Sequence, residues 1–97
     1  MRPKAKIEIH YCCQCQWLLR AAWMAQELLS TFADDLESVA LAPKSGGTFA
    51  IYYQQGEDVP VLIWCRRRDQ GFPPIKALKQ KVRDLLDPER FLGHLDR

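Results

Sequence analysis

At 97 residues the chain has room for one small domain, expected to bury only about 65% of its unfolded surface, which excludes a two-domain arrangement. Hydrophobic residues at 47% and charged residues at 27% are ordinary for a globular chain, and a formal charge of +2 excludes the strongly basic face of a general nucleic-acid binder. No run of about 18 apolar residues is present and the basic start MRPKAKIEIH lacks the apolar core of a signal peptide, so no membrane contact and a cytoplasmic location are expected.

Residues 6–11, KIEIHY, alternate Ile7, Ile9 and Tyr11 with Lys6, Glu8 and His10, the period of a strand with one dry face. From about Cys15 to Phe32 the apolar positions Leu18, Ala21, Ala22, Ala25, Leu28, Leu29 and Phe32 recur at three- and four-residue spacing, which predicts a helix. It should end before Asp34 and Asp35, and LESVALA (36–42) follows as a second strand closed by Pro43. Strand, helix and strand in that order predict a parallel pair joined by a right-handed crossover. Ser45-Gly46-Gly47 is a turn. TFAIYY (48–53) and VLIWC (61–65), separated by the turn QQGED, predict a β-hairpin.

RRRDQGF reads as a charged loop. Pro73 or Pro74 suits the first turn of a last helix with Ile75, Leu78, Val82 and Leu85 on one stripe, ended by Pro88. Residues 88–97 are expected to be an irregular tail of the single domain 1–97. The reading is an α/β chain, β-α-β-β-β-α, with a four-stranded mixed sheet; the polar outward set of the first strand predicts that both helices cover one face. The last strand is apolar on both sides, and its uncovered set would suit a homodimer.

IHYCCQCQW (9–17) crowds three of the four cysteines into four positions. Cys12 and Cys15 have C-x-x-C spacing at the expected strand-to-helix junction, where free N–H groups and the positive end of a helix favour a thiolate. Lowering a thiol pKa from about 8.5 to about 7 raises its thiolate fraction at neutral pH from about 3% to about half. One turn of helix also brings two such sulfurs within disulfide reach. Cys13 leaves two other pairings open, one with Cys15 and one vicinal with Cys12. A zinc site wants four ligands, usually as two separated pairs, and outside the cluster only Cys65, His10 and His94 remain; no metal and no cofactor is expected. A redox-regulated interaction module, a thiol metal carrier and plain buried thiols are the rival readings. Trp17 is read as packing near the cysteines, Cys65 as a small structural residue, Arg66, Arg67 and Arg68 as a solvated corner, and His10 as exposed.

The segments YCCQCQW, SGGTFAIYY, VLIWCRRRDQGFPPIKALKQKVRDL and DPERFLGHLDR resemble a bacterial, cysteine-containing member of the selenoprotein W-like (Rdx) family. The resemblance runs from Ile7 through the C-terminal tail. It implies a thioredoxin-like fold and a thiol-dependent oxidoreductase linked to glutathione or thioredoxin-type donors, with a redox partner protein or glutathione as its partner. It places Cys12 on the first position of the family's C-x-x-U motif and Cys15 on the selenocysteine position. By thioredoxin logic Cys12 attacks; by the position of selenium Cys15 attacks and Cys12 resolves; both are retained as the catalytic pair. Cys13 falls on a spacer position. Where thioredoxin sets a cis-proline opposite its dithiol, this chain has Gly46-Gly47-Thr48.

Overall fold

The computed structural model describes residues 3–87. In chain order the elements are β1 (Ala5–Cys12), α1 (Leu18–Thr31), β2 (Leu36–Lys44), β3 (Phe49–Gln55), β4 (Val61–Cys65), α2 (Arg66–Asp69) and α3 (Ile75–Leu86). The strands form one mixed sheet in the order β2-β1-β3-β4. The predicted parallel pair is β1 with β2, and the predicted hairpin is β3 with β4, while β1 and β3 run antiparallel.

Alternation along β1 produces the core directly. Ala5, Ile7, Ile9 and Tyr11 are buried and join Ile51 and Tyr53 of β3, while Lys6 and Glu8 between them are exposed. Ala21, Met24, Ala25 and Leu28 of α1 and Leu78 and Val82 of α3 enter the same cluster. A fully buried Ile, Leu or Val contributes about 1.5–3 kcal/mol relative to exposure, so this shared cluster is what fixes the helices to the sheet. Lys79 of α3 meets Glu27 of α1 at 2.9 Å, a partly exposed ion pair that adds little to it.

Four local readings change. Helix α1 starts at Leu18, three residues after Cys15. Its buried stripe is Ala21, Met24, Ala25, Leu28 and the following Phe32, whereas Leu18 and Leu29 are exposed; the stripe that obeys three- and four-residue steps runs through Met24. Pro43 does not close β2 but lies inside it, opposite Tyr11. An edge strand tolerates proline because its outward N–H has no ladder partner to lose. Finally, RRRDQGF is not all loop: its first four residues form α2, which ends on Gln70 with φ of +60°. α3 ends at Leu86, and the readings for Pro88, His94 and the tail 88–97 lie outside the described residues. Among the described residues no helix is long and apolar enough to cross a membrane.

Candidate functional site

Strand order decides what surrounds the cysteines. β2 and β3 flank β1, so the chain leaving β2 at Lys44 must pass the carboxyl end of β1 to enter β3 at Phe49. Strands lie about 4.8 Å apart, so Ser45–Thr48 crosses about 10 Å over the end of β1, where Cys12 sits. Gly46 and Gly47 make this crossing with φ of +70° and +76°, the left-handed region that glycine enters without a Cβ penalty, and the Thr48 hydroxyl donates to Ser45 O at 2.8 Å. β4 runs antiparallel to β3 and therefore parallel to β1, so α2 begins at the same end.

The C-x-x-C segment is not the first turn of α1. The Trp17 N–H donates to Cys12 O at 3.4 Å and the Gln16 N–H to Cys13 O at 3.2 Å, with Gln16 left-handed at φ of +61°. That nested pair of bonds with a left-handed residue is a Schellman arrangement, and it closes an isolated turn before the helix begins. Cys12 is held as the last residue of a central strand, and the Cys13 N–H continues the ladder to Lys44 O at 3.0 Å. The expected help from the α1 dipole is therefore replaced by donors of the turn itself and of the glycine crossing.

The structure brings Cys12 and Cys15 together. Both are free thiols; Cys12 is buried and Cys15 exposed. The Cys15 thiol beside it is the main cause holding Cys12 below the ordinary thiol range, assisted by the N–H groups of Gly47, Cys15 and Gln14 against the opposing effect of burial. The same contact, with burial and the charge of Cys12, pushes Cys15 up, while the Gly47 N–H and the Arg66 charge oppose that rise. The first thiolate to form is thus shared by the pair, with the Gly47 N–H of the crossing as a backbone donor to it. Cys13 is exposed but turned aside, its thiol donating to Lys44 O at 3.2 Å.

Arginines that read as a solvated corner instead brace the crossing. Arg66 Nε donates to Gly47 O at 3.1 Å, and Arg67 donates to Gly46 O. Arg68 alone fits the earlier reading, paired with Asp69 at 2.9 Å. Trp17 packs edge-to-face on Phe72 at 4.9 Å and on Phe49 at 6.3 Å, with the Arg66 guanidinium 5.1 Å from its ring centroid and Arg20 4.0 Å from that of Phe72. Periodicity and spacing gave no signal for Phe72, Arg66 or Arg67, which lie within the stretch that carries the family resemblance. Gly47 carried one, through the Gly-Gly-Thr stretch opposite the dithiol.

Cys65 stands apart from the pair at the start of α2. Its N–H bonds to Asp69 Oδ2 at 2.9 Å, and the Arg68 and Arg67 N–H groups hold its thiol below the ordinary range, a local cap geometry. His10 bonds Glu8 at 2.8 Å and lies against Tyr52, 4.7 Å between ring centroids. Among the described residues no three or more His, Cys, Asp or Glu side chains are grouped to hold a metal ion.

Comparison with known proteins gives a consistent picture. The model of the Rdx family matches residues 6–84. A selenoprotein W-related protein from Vibrio cholerae, known from its crystal structure, is 54% identical with a TM-score of 0.80, over 87% of this chain and 99% of that one. A protein from Bordetella parapertussis of known crystal structure is 57% identical with a TM-score of 0.77, over 84% of this chain and 98% of that one. No curated protein matches the chain.

Proposed function

The chain belongs to the Rdx family, a membership that implies a thiol redox role on a thioredoxin-like fold, and from that premise we propose that it is a thiol–disulfide oxidoreductase in which Cys15 attacks and Cys12 resolves. The observation that carries this reading is the close pairing of Cys12 and Cys15 at the end of β1, one buried and one exposed. A buried sulfur cannot reach a bulky disulfide, whereas an exposed one can.

Once the first proton is lost, the reduced pair holds one proton between two sulfurs. Passing that proton from Cys15 to Cys12 leaves a Cys15 thiolate stabilised by the Gly47 N–H and by Arg66. The thiolate attacks a substrate disulfide RS–SR′, forms the mixed disulfide Cys15–S–SR and expels R′S⁻. R′S⁻ takes the proton from Cys12. The resulting Cys12 thiolate attacks Cys15 Sγ, closes the Cys12–Cys15 disulfide and expels RS⁻, which takes a proton from water. Two electrons have moved from the dithiol to the substrate, and two equivalents of a donor thiol of the glutathione or thioredoxin type return them.

Trapping separates the roles. In a Cys13→Ser background, Cys12→Ser should react with a small aromatic disulfide and stop at a stable mixed disulfide on residue 15, seen as one added thiol by mass spectrometry. Cys15→Ser should react far more slowly. A stable adduct on Cys12 in the Cys15→Ser protein would reverse the assignment. A Cys12–Cys15 disulfide that forms without turnover of any substrate would favour a redox-switched interaction module instead.

A further inference from the structure

The first two turns of α1 carry a second apolar stripe, separate from the one in the core. Leu19 is 82% exposed and Trp23 47%, one turn apart on the same side of the helix. With Gln16, Trp17 and Arg20 they line an open depression that begins one residue after Cys15. Further along the same line of α1 the residues are Gln26 and Ser30, polar and exposed. The apolar part is therefore confined to the end of the helix that follows Cys15 in the chain. Isolated exposed apolar residues are ordinary, but an adjoining Leu and Trp rimmed by charge are the composition of a contact surface.

The rim is cationic. Arg20 and Arg66 are held over Phe72 and Trp17, and among the described residues neither pairs with a carboxylate. Asp69 is taken by Arg68, and Glu27 by Lys79. A partner that covers this surface must supply both an apolar group and negative charge. Glutathione offers carboxylates but would leave Leu19 and Trp23 uncovered.

Resting on the oxidoreductase reading, we propose that the Leu19, Arg20 and Trp23 surface docks a protein substrate, through a segment with a bulky apolar side chain beside its cysteine and a carboxylate within reach of Arg20. While the segment is docked, the Cys15 thiolate forms a bond to the partner's sulfur as the partner's own disulfide bond breaks, and its other sulfur leaves as thiolate.

Two peptides test this, each a cysteine peptide in mixed disulfide with an aromatic reporter thiol: one flanks the cysteine with Leu and Glu, the other with Ser and Lys. The full-length reduced protein should release the reporter from the Leu/Glu peptide about tenfold faster, the worth of burying roughly one leucine. Leu19→Ser and Trp23→Ser should bring the ratio of the two rates close to one, and Arg20→Gln should lower it and weaken its dependence on salt. Val59→Ser, at the far end of the sheet and 82% exposed, should keep the wild-type ratio. Equal rates for both peptides in the wild type, or a glutathione mixed disulfide outpacing the Leu/Glu peptide, would overturn the docking proposal while leaving thiol exchange intact. Failure to react even with a small aromatic disulfide would remove thiol exchange itself, and docking with it.

Discussion

Cys12 and Cys15 are displaced in opposite directions by one and the same contact, because a thiolate on either sulfur makes a second thiolate beside it costly. The consequence for stability has a definite sign. Cys12 in the fold loses its proton more readily than in the unfolded chain, so between its lowered value and the ordinary thiol value of about 8.5 the unfolded state binds more protons and stability rises with pH. Above that value Cys15 holds its proton longer in the fold than in the unfolded chain, and stability falls as pH climbs toward its raised value. Denaturant unfolding of the reduced protein, referred to a Cys12→Ser/Cys15→Ser variant that removes the background titration, should therefore show a maximum near the ordinary thiol value. A difference that stays flat with pH would contradict the shared thiolate. The spacing of the two cysteines was legible from the chain alone because it is covalent. The bracing by Arg66 and Arg67 was not, since their partners Gly47 and Gly46 lie 19 and 21 residues away and meet them only through the strand order.

The β2–β3 crossing is the element that turns a pair of cysteines into a candidate site. A Cβ on Gly47 would lie 3.1 Å from Arg66 Nη2 and 3.3 Å from Arg67 Nη2, and φ of +76° is unfavourable for any other residue. Gly47→Ala should cost about 1–2 kcal/mol in stability and move its N–H off the sulfurs, so the first thiolate of the pair forms at higher pH. Arg66→Met, which keeps much of the stem over Trp17 but removes the bond to Gly47 O and the charge, should raise that pH without the backbone penalty. Thiolate absorbance titrations in a Cys13→Ser/Cys65→Ser background read both effects; an unchanged titration in the two variants would mean the crossing does not tune the pair. Periodicity located α1 but not its start, because the turn closed by the Trp17 and Gln16 N–H groups consumes residues that still look helical in sequence. Pro43 misled for a similar reason: its effect depends on whether its strand is central or at an edge, which only the assembled sheet decides.

Across the whole molecule, the end that carries the cysteine pair is where the carboxyl ends of β1 and β4 and the β2–β3 crossing coincide, and one buried core is shared by the sheet and the helices α1 and α3. That convergence follows from a β-α-β unit joined to a hairpin, an order readable from alternation, helical spacing and turn residues. The apolar surface at the start of α1 was hidden, since Leu19 and Trp23 look like ordinary helix residues until the true core stripe of α1 is known. The most direct test of the paired thiols is an equilibrium redox titration of the Cys13→Ser protein in glutathione buffers, with free thiols blocked and counted by mass. One two-electron transition, tenfold in its equilibrium per about 30 mV, that ends in a Cys12–Cys15 disulfide is the predicted result. Thiols that remain free throughout, or that oxidise only as separate glutathione adducts, would contradict it.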